Sequence, residues 1–123
     1  MEYKEINIKP ISVNDMYKWK FVSSPKAKRF KQSMLNEFYD DEDRENTFNT
    51  DWMKKLDIVI YFSNKWADID WPLKILIDSI QQIYGFNDNK VYELNVKKRI
   101  VKKGEERIKF NITDLPIDYN YKD

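Results

Sequence analysis

A chain of 123 residues fits one domain with room for a real core and little for a second, and 41% hydrophobic with 15% aromatic residues argues for folding rather than disorder. It has no cysteine and no histidine, which excludes thiol nucleophiles, imidazole bases and the usual zinc sites. Any catalysis must run on carboxylates, lysine, hydroxyls and a hard cation such as Mg²⁺ or Mn²⁺. The near balance of 22 Lys and Arg against 21 Asp and Glu hides an uneven distribution, because the acids gather in two stretches and leave other faces basic. No apolar run is long enough for a membrane helix and the first residues lack a signal-peptide core, so a cytoplasmic protein without a membrane partner is expected.

In chain order, residues 3–8 alternate polar and apolar and read as a first strand, ended by Lys9-Pro10. Residues 12–15 read as a turn, and residues 18–22 as a short strand with Trp19 and Phe21 on one face. Ser23-Ser24-Pro25 is a helix start. The helix that follows, to about Tyr39, turns Ala27, Phe30, Met34, Leu35 and Phe38 inward and Lys26, Lys28, Arg29 and Lys31 outward. Residues 40–51, rich in acids, read as an exposed loop. Residues 56–62, LDIVIYF, form an apolar β-branched run that should be a central strand covered on both faces.

That strand leads into Asp68-Ile69-Asp70 and a helix. Leu73, Leu76, Ile77, Ile80, Ile83 and Tyr84 have the spacing of a buried face, and Gly85 supplies the stop. At about 100° per residue, Asp70, Lys74 and Asp78 share the opposite stripe. Asn87-Asp88-Asn89 then brings an acid back before a strand over residues 91–102, a turn at Lys103-Gly104-Glu105, and a return strand over residues 107–112 with Ile108, Phe110 and Ile112 inward. Residues 113–123 read as a loose tail. The expected fold is a single α+β domain over residues 1–123: a mixed sheet, two main helices and a C-terminal β-hairpin.

Two readings of the acids compete. Aspartate is a preferred N-cap, so Asp68 or Asp70 could serve only the helix, and Lys74 with Asp78 could be a surface pair. Alternatively, carboxylates and a lysine converging at one helix end form a divalent-metal site. The basic cluster Lys97, Lys98, Arg99, Lys102, Lys103, Arg107 and Lys109 is likewise either a guard against edge-to-edge aggregation or a phosphate-binding surface.

The order Asp68-x-Asp70, Lys74, Asp78 and then Asn87-Asp88-x-x-Val91 resembles the RusA-like Holliday junction resolvases, whose pattern is D-x-D-N-x-x-K-x-x-x-D, a helix, and D-D-x-x-V. Residues 9–17, KPISVNDMY, resemble that family's K-P-x-S-x-N-x-x-Y segment. The resemblance implies a Mg²⁺-dependent endonuclease, Mn²⁺ being an alternative, that nicks four-way DNA junctions symmetrically as a homodimer. By position, Asp68, Asp70 and Asp88 match the metal-binding acids and Lys74 the catalytic lysine, with Asp78 and Asn87 as outer contacts. Lys28, Lys31, Lys97, Lys98, Arg99, Lys102 and Lys103 are then expected on phosphates, and Trp66 or Trp71 either packs at the helix start or stacks on an opened base. Trp71 stands where the family has Asn, and Asn87 replaces the first acid of D-D. Those departures leave a second class open, a junction- or nucleic-acid-binding module of the same fold with weakened turnover.

Overall fold

The computed structural model describes residues 3–10, 17–18, 22–23, 25–44 and 51–123, with the side chain of Trp71 and those of the short strands at 17–18 and 22–23 outside the description. The strands are β1 (Lys4–Ile6), β2 (Tyr17–Lys18), β3 (Val22–Ser23), β4 (Lys54–Phe62), β5 (Val91–Ile100) and β6 (Arg107–Asp114). The helices are α1 (Pro25–Phe38) and α2 (Asp70–Tyr84), with short 3₁₀ turns at Glu42–Arg44 and Asp88–Lys90. The turn expected at residues 12–15, the Trp19 and Phe21 face, and residues 45–50 of the acidic loop lie outside the described residues.

A four-stranded mixed sheet has the order β1-β6-β4-β5, with β4 parallel to β5 and antiparallel to β6, while β2 and β3 form a separate two-stranded ladder. The α+β class stands. The two C-terminal strands are both present, but they flank β4 and bond to it rather than to each other, so the expected hairpin is a connection without a pairing. The turn around Gly104, which takes a positive φ of 96°, carries the chain past the end of β4, where the Val101 N–H donates to the Phe62 carbonyl.

Burial alternates along β4, and Leu56, Ile58, Ile60 and Phe62 face the helices. They meet Phe30, Met34 and Phe38 of α1, Leu76, Ile80 and Ile83 of α2, and Ile108, Phe110 and Ile112 of β6 in one core. Phe38 and Tyr84 both pack edge-on to Phe110. The opposite face of β4 is not covered by a second layer among the described residues. Val59 and Tyr61 are half-buried there, with the Arg107 guanidinium 3.9 Å from the Tyr61 ring centre. The apolar run thus reflects one buried face plus side chains that cover each other.

Two other expectations change. The acidic loop begins as anchored structure: Lys4 holds Asp41 at 2.7 Å and Asp43 at 2.8 Å, and the Tyr84 hydroxyl donates to Asp41 at 2.6 Å. The tail is tied down at its start, because β6 runs to Asp114, Leu115 is buried, its N–H donates to the Met53 carbonyl and its carbonyl accepts from the Trp52 indole. Among the described residues, no helix is long and apolar enough to cross a membrane.

Candidate functional site

The C-terminal end of β4 delivers the chain into a folded loop. Asn64 Oδ1 accepts from the Trp66 N–H at 2.9 Å, and Asp68 Oδ1 accepts from the Asp70 N–H at 2.9 Å, two side-chain-closed turns in succession. From β5, Lys98 reaches back and donates its ammonium to the carbonyls of Lys65, at 2.8 Å, and Ala67. The loop that presents Asp68 is therefore clamped from the neighbouring strand. Asp68 does not cap α2 from the N-cap position, which is Ile69 with no side-chain bond; its oxygen closes the turn just ahead of the helix.

Asp68, Asp70 and Lys74 are all exposed, and Lys74 lies one turn along α2 from Asp70. Asp68 also lines a cleft of about 250 Å³ with Lys9, Pro10, Ser63, Asn64 and Glu106. Glu106 is held in place: its two carboxylate oxygens accept from the Ser63 hydroxyl at 2.9 Å and the Gly104 N–H at 2.7 Å. Hydrogen bonds from its own backbone N–H, from Ser63 and from Gly104 keep its carboxyl below the usual glutamate range. Lys9 heads the segment that resembles K-P-x-S-x-N-x-x-Y, whereas Glu106 did not stand out in the sequence. The signal for Glu106 was topological, since the Gly104 turn crosses the end of β4 and sets residue 106 beside residue 63.

Asp88 does not join them within one chain. It follows α2, which is about 22 Å long at 1.5 Å per residue, and it precedes Val91, which pairs with Lys54 at the opposite end of β4. Among the described residues, no three carboxylates gather where one metal ion could be held. Asp78 is half-buried two turns down α2, and Asn87 closes its own turn by accepting from the Asn89 N–H.

The basic residues divide as well. Lys98 lies on the helix side of β5 and holds the loop, whereas Lys97 and Arg99 alternate onto the outer face. Lys102, Lys103 and Lys28 are exposed, and Lys31 is half-buried. Arg107 and Lys109 sit over Tyr61 and pair with Glu5. Trp66 is 81% exposed, with Lys65 over its ring, so the packing reading fails for it. The side chain of Trp71 lies outside the described residues. The chain matches no protein-family model and no curated protein.

Proposed function

We propose that this protein is a metal-dependent endodeoxyribonuclease that acts on branched DNA as a homodimer, cutting four-way junctions by paired nicks. One observation carries the reading: the central strand ends in a clamped loop that presents Asp68 and Asp70 together, with Lys74 a turn away. The order of these residues is that of the RusA-like resolvases they resemble.

The donor set fits a hard cation. Mg²⁺ commonly binds through one or two carboxylates and keeps several waters, and the exposed Asp68 and Asp70, in a chain without thiols or imidazoles, offer that kind of site. When bound, such an ion would polarise the scissile phosphate and lower the pKa of water. The residues themselves do the rest. Asp68 and Asp70 hold negative charge at a fixed place, because Lys98 and the Asp68 turn remove the loop's freedom. Lys74 places a cation where charge develops on the phosphoryl oxygens. Trp66 offers an aromatic face beside the site for a base unstacked at the junction centre. Lys28, Lys31, Lys97, Arg99, Lys102 and Lys103 supply phosphate contacts.

The distance between Asp88 and the other two acids favours a second reading, a junction-binding module with little or no turnover. Labelled junction and linear duplex, incubated with the protein with and without Mg²⁺, separate the two. Mg²⁺-dependent cutting of the junction is expected. Selective binding without cutting supports the module, and neither cutting nor selective binding removes both readings.

A further inference from the structure

Three cations from two separate elements line one hollow of about 390 Å³. Lys9 comes from the segment just past β1, and Lys26 and Arg29 come from α1 together with the Ser33 hydroxyl. Ile8 and the buried Phe30 add apolar lining. At about 100° per residue, Lys26, Arg29, Phe30 and Ser33 share one stripe of α1, about 100° wide, whereas Lys28 and Lys31 lie on its other side.

Among the described residues no carboxylate lines this hollow, and neither Lys9 nor Arg29 forms a salt bridge. Like charges gathered in one place oppose each other unless something of opposite sign joins them. A cleft lined by one sign of charge also focuses the field and concentrates counter-ions. The donors suit a tetrahedral oxyanion: a planar guanidinium fork, ammonium groups and a hydroxyl. The volume lies within the range of ligand sites, about 300–1,000 Å³, and exceeds what a bare phosphate fills. Together with the apolar lining, it suits a phosphate that carries carbon.

The hollow is also continuous with the candidate site. Lys9 and Pro10 line both it and the cleft that holds Asp68 and Glu106. Beyond Ser33 a third hollow is lined by Asn36 and Glu37. The positive stretch therefore has two ends, one at the exposed acids after β4 and one midway along α1.

We propose that the hollow between the end of β1 and α1 is a binding site for a phosphate ester, with Arg29, Lys26 and Ser33 on the phosphate and Lys9 at the junction with the Asp68 cleft. The ester is a neighbouring phosphate of the strand whose scissile phosphate lies at Asp68. The anion site stands by itself, whereas its assignment to that strand rests on the nuclease reading above. A free nucleotide offers the same chemistry and is the competing source.

Amide spectra of ¹⁵N-labelled protein in EDTA, titrated with thymidine 5′-monophosphate, tetrathymidylate and inorganic phosphate, separate these cases. The mononucleotide is expected to move the signals of Lys9 and residues 26–33. Tetrathymidylate is expected to move those and the signals of Asp68 and Asp70, and to bind more tightly. Arg29 is exposed, and the spectrum itself reports whether a variant is folded. Arg29→Gln should weaken tetrathymidylate binding about tenfold and reduce the slope of log K against log salt by about 0.7. Lys122→Gln, which removes the same charge from the exposed tail, should change neither.

Signals at residues 26–33 that stay still with both nucleotides overturn the site, and so does an Arg29→Gln slope equal to the parent's. Inorganic phosphate bound as tightly as the mononucleotide overturns the ester. A tetranucleotide that moves the hollow and never Asp68 or Asp70 overturns the strand path and leaves the free nucleotide as ligand. Neither readout requires cleavage. A protein that cuts no junction yet binds tetrathymidylate across both hollows loses the nuclease reading and keeps the site, and one that cuts junctions with the hollow unmoved does the reverse.

Discussion

Two groups of charged residues in this molecule have similar composition and opposite situations. At one, Lys4, Asp41, Asp43 and the Tyr84 hydroxyl are partly buried, and each is bonded within the group. At the other, Asp68, Asp70 and Lys74 stand in solvent at the end of β4, and the bonds around them fix the backbone while leaving carboxylate oxygens outward. Charges that satisfy one another join parts of a fold; here they tie β1, the turn after α1 and the end of α2. Charges held in place without an ion-pair partner among the described residues are available to something else. The comparison predicts that removing a member of the first kind costs stability, and removing a member of the second costs only what it binds.

The largest effect is expected at a pair of the first kind that is more deeply buried. Lys54 is completely buried and its ammonium lies 2.5 Å from Asp114, which is about a third exposed. Asp114→Ala leaves a buried cation without that carboxylate and should cost about 2–4 kcal/mol in urea unfolding. Lys54→Met, which keeps the stem's volume and removes the charge, should cost far less. Equal losses from the two would show that packing, and not the loss of that carboxylate, governs this end of β4.

Next in size is the Lys4 group, which also makes a pH prediction. Burial opposes the charge on Lys4, but its bonds to Asp41 and Asp43 outweigh that and raise its pKa. Burial likewise raises the Asp41 pKa less than the bonds from Lys4 and Tyr84 lower it. Burial and then Asp41 push the Tyr84 phenol upward. The raised groups contribute stability that is complete below their unfolded pKa values, about 10 for both, and lost as pH rises through the folded ones. The lowered Asp41 contributes above about pH 4 and loses it as pH falls. Tyr84→Phe should cost about 1 kcal/mol at neutral pH and flatten the alkaline limb of the stability curve. An unchanged alkaline limb would place the titrating groups elsewhere.

The exposed acids should behave in the opposite way. Asp70→Asn should leave the melting temperature without Mg²⁺ unchanged or slightly higher, because a like-charge repulsion with Asp68 disappears. At ten times its dissociation constant, Mg²⁺ should stabilise the parent by about 1.4 kcal/mol, and the variant by less, with junction cutting abolished and junction binding kept. An Asp70→Asn protein that cuts at the parental rate ends the proposed chemistry.

Much of this was legible because periodicity reports burial. The inward residues of α1 and β6 follow the sequence pattern, and so do most of α2; in β5 Leu94, Val96 and Ile100 share one side as expected, but Leu94 and Ile100 stay about half exposed. What periodicity cannot report is which strands are neighbours. A glycine turn at 104 serves a hairpin and a crossing over β4 equally well, so Glu106 beside Asp68 was hidden. The separation of Asp88 was readable in principle, since four helical turns between two groups hold them apart whatever the fold. Closeness in sequence suggested convergence that the length of α2 forbids. Two lysines carried an unused signal: Lys54 and Lys98 both fall on the apolar parity of their strands. A long cation at a core position must find oxygen atoms nearby, and both do.

The smallest effect expected tests that signal within the basic cluster. Lys98 is committed to the carbonyls of Lys65 and Ala67, while Lys102 and Lys103 extend from the crossing turn into solvent. If Lys102 and Lys103 meet phosphates, each change to Gln should reduce the slope of log K against log salt by about 0.9 on duplex arms, with no change in melting temperature. Lys98→Gln should do the reverse. The slope should stay near the parental value, because that ammonium is directed into the protein, whereas the melting temperature should fall as the loop loses two charge-assisted bonds. The loop carries Asp68, so the Mg²⁺-dependent shift in melting temperature should shrink as well. Fluorescence titrations of a labelled junction at several salt concentrations, beside thermal melts of the three variants, give both quantities. A Lys98→Gln slope reduced as much as that of Lys102→Gln would mean that the lysine leaves its carbonyls for a phosphate when DNA binds. The contrast between committed and available charges would then hold only for the free protein.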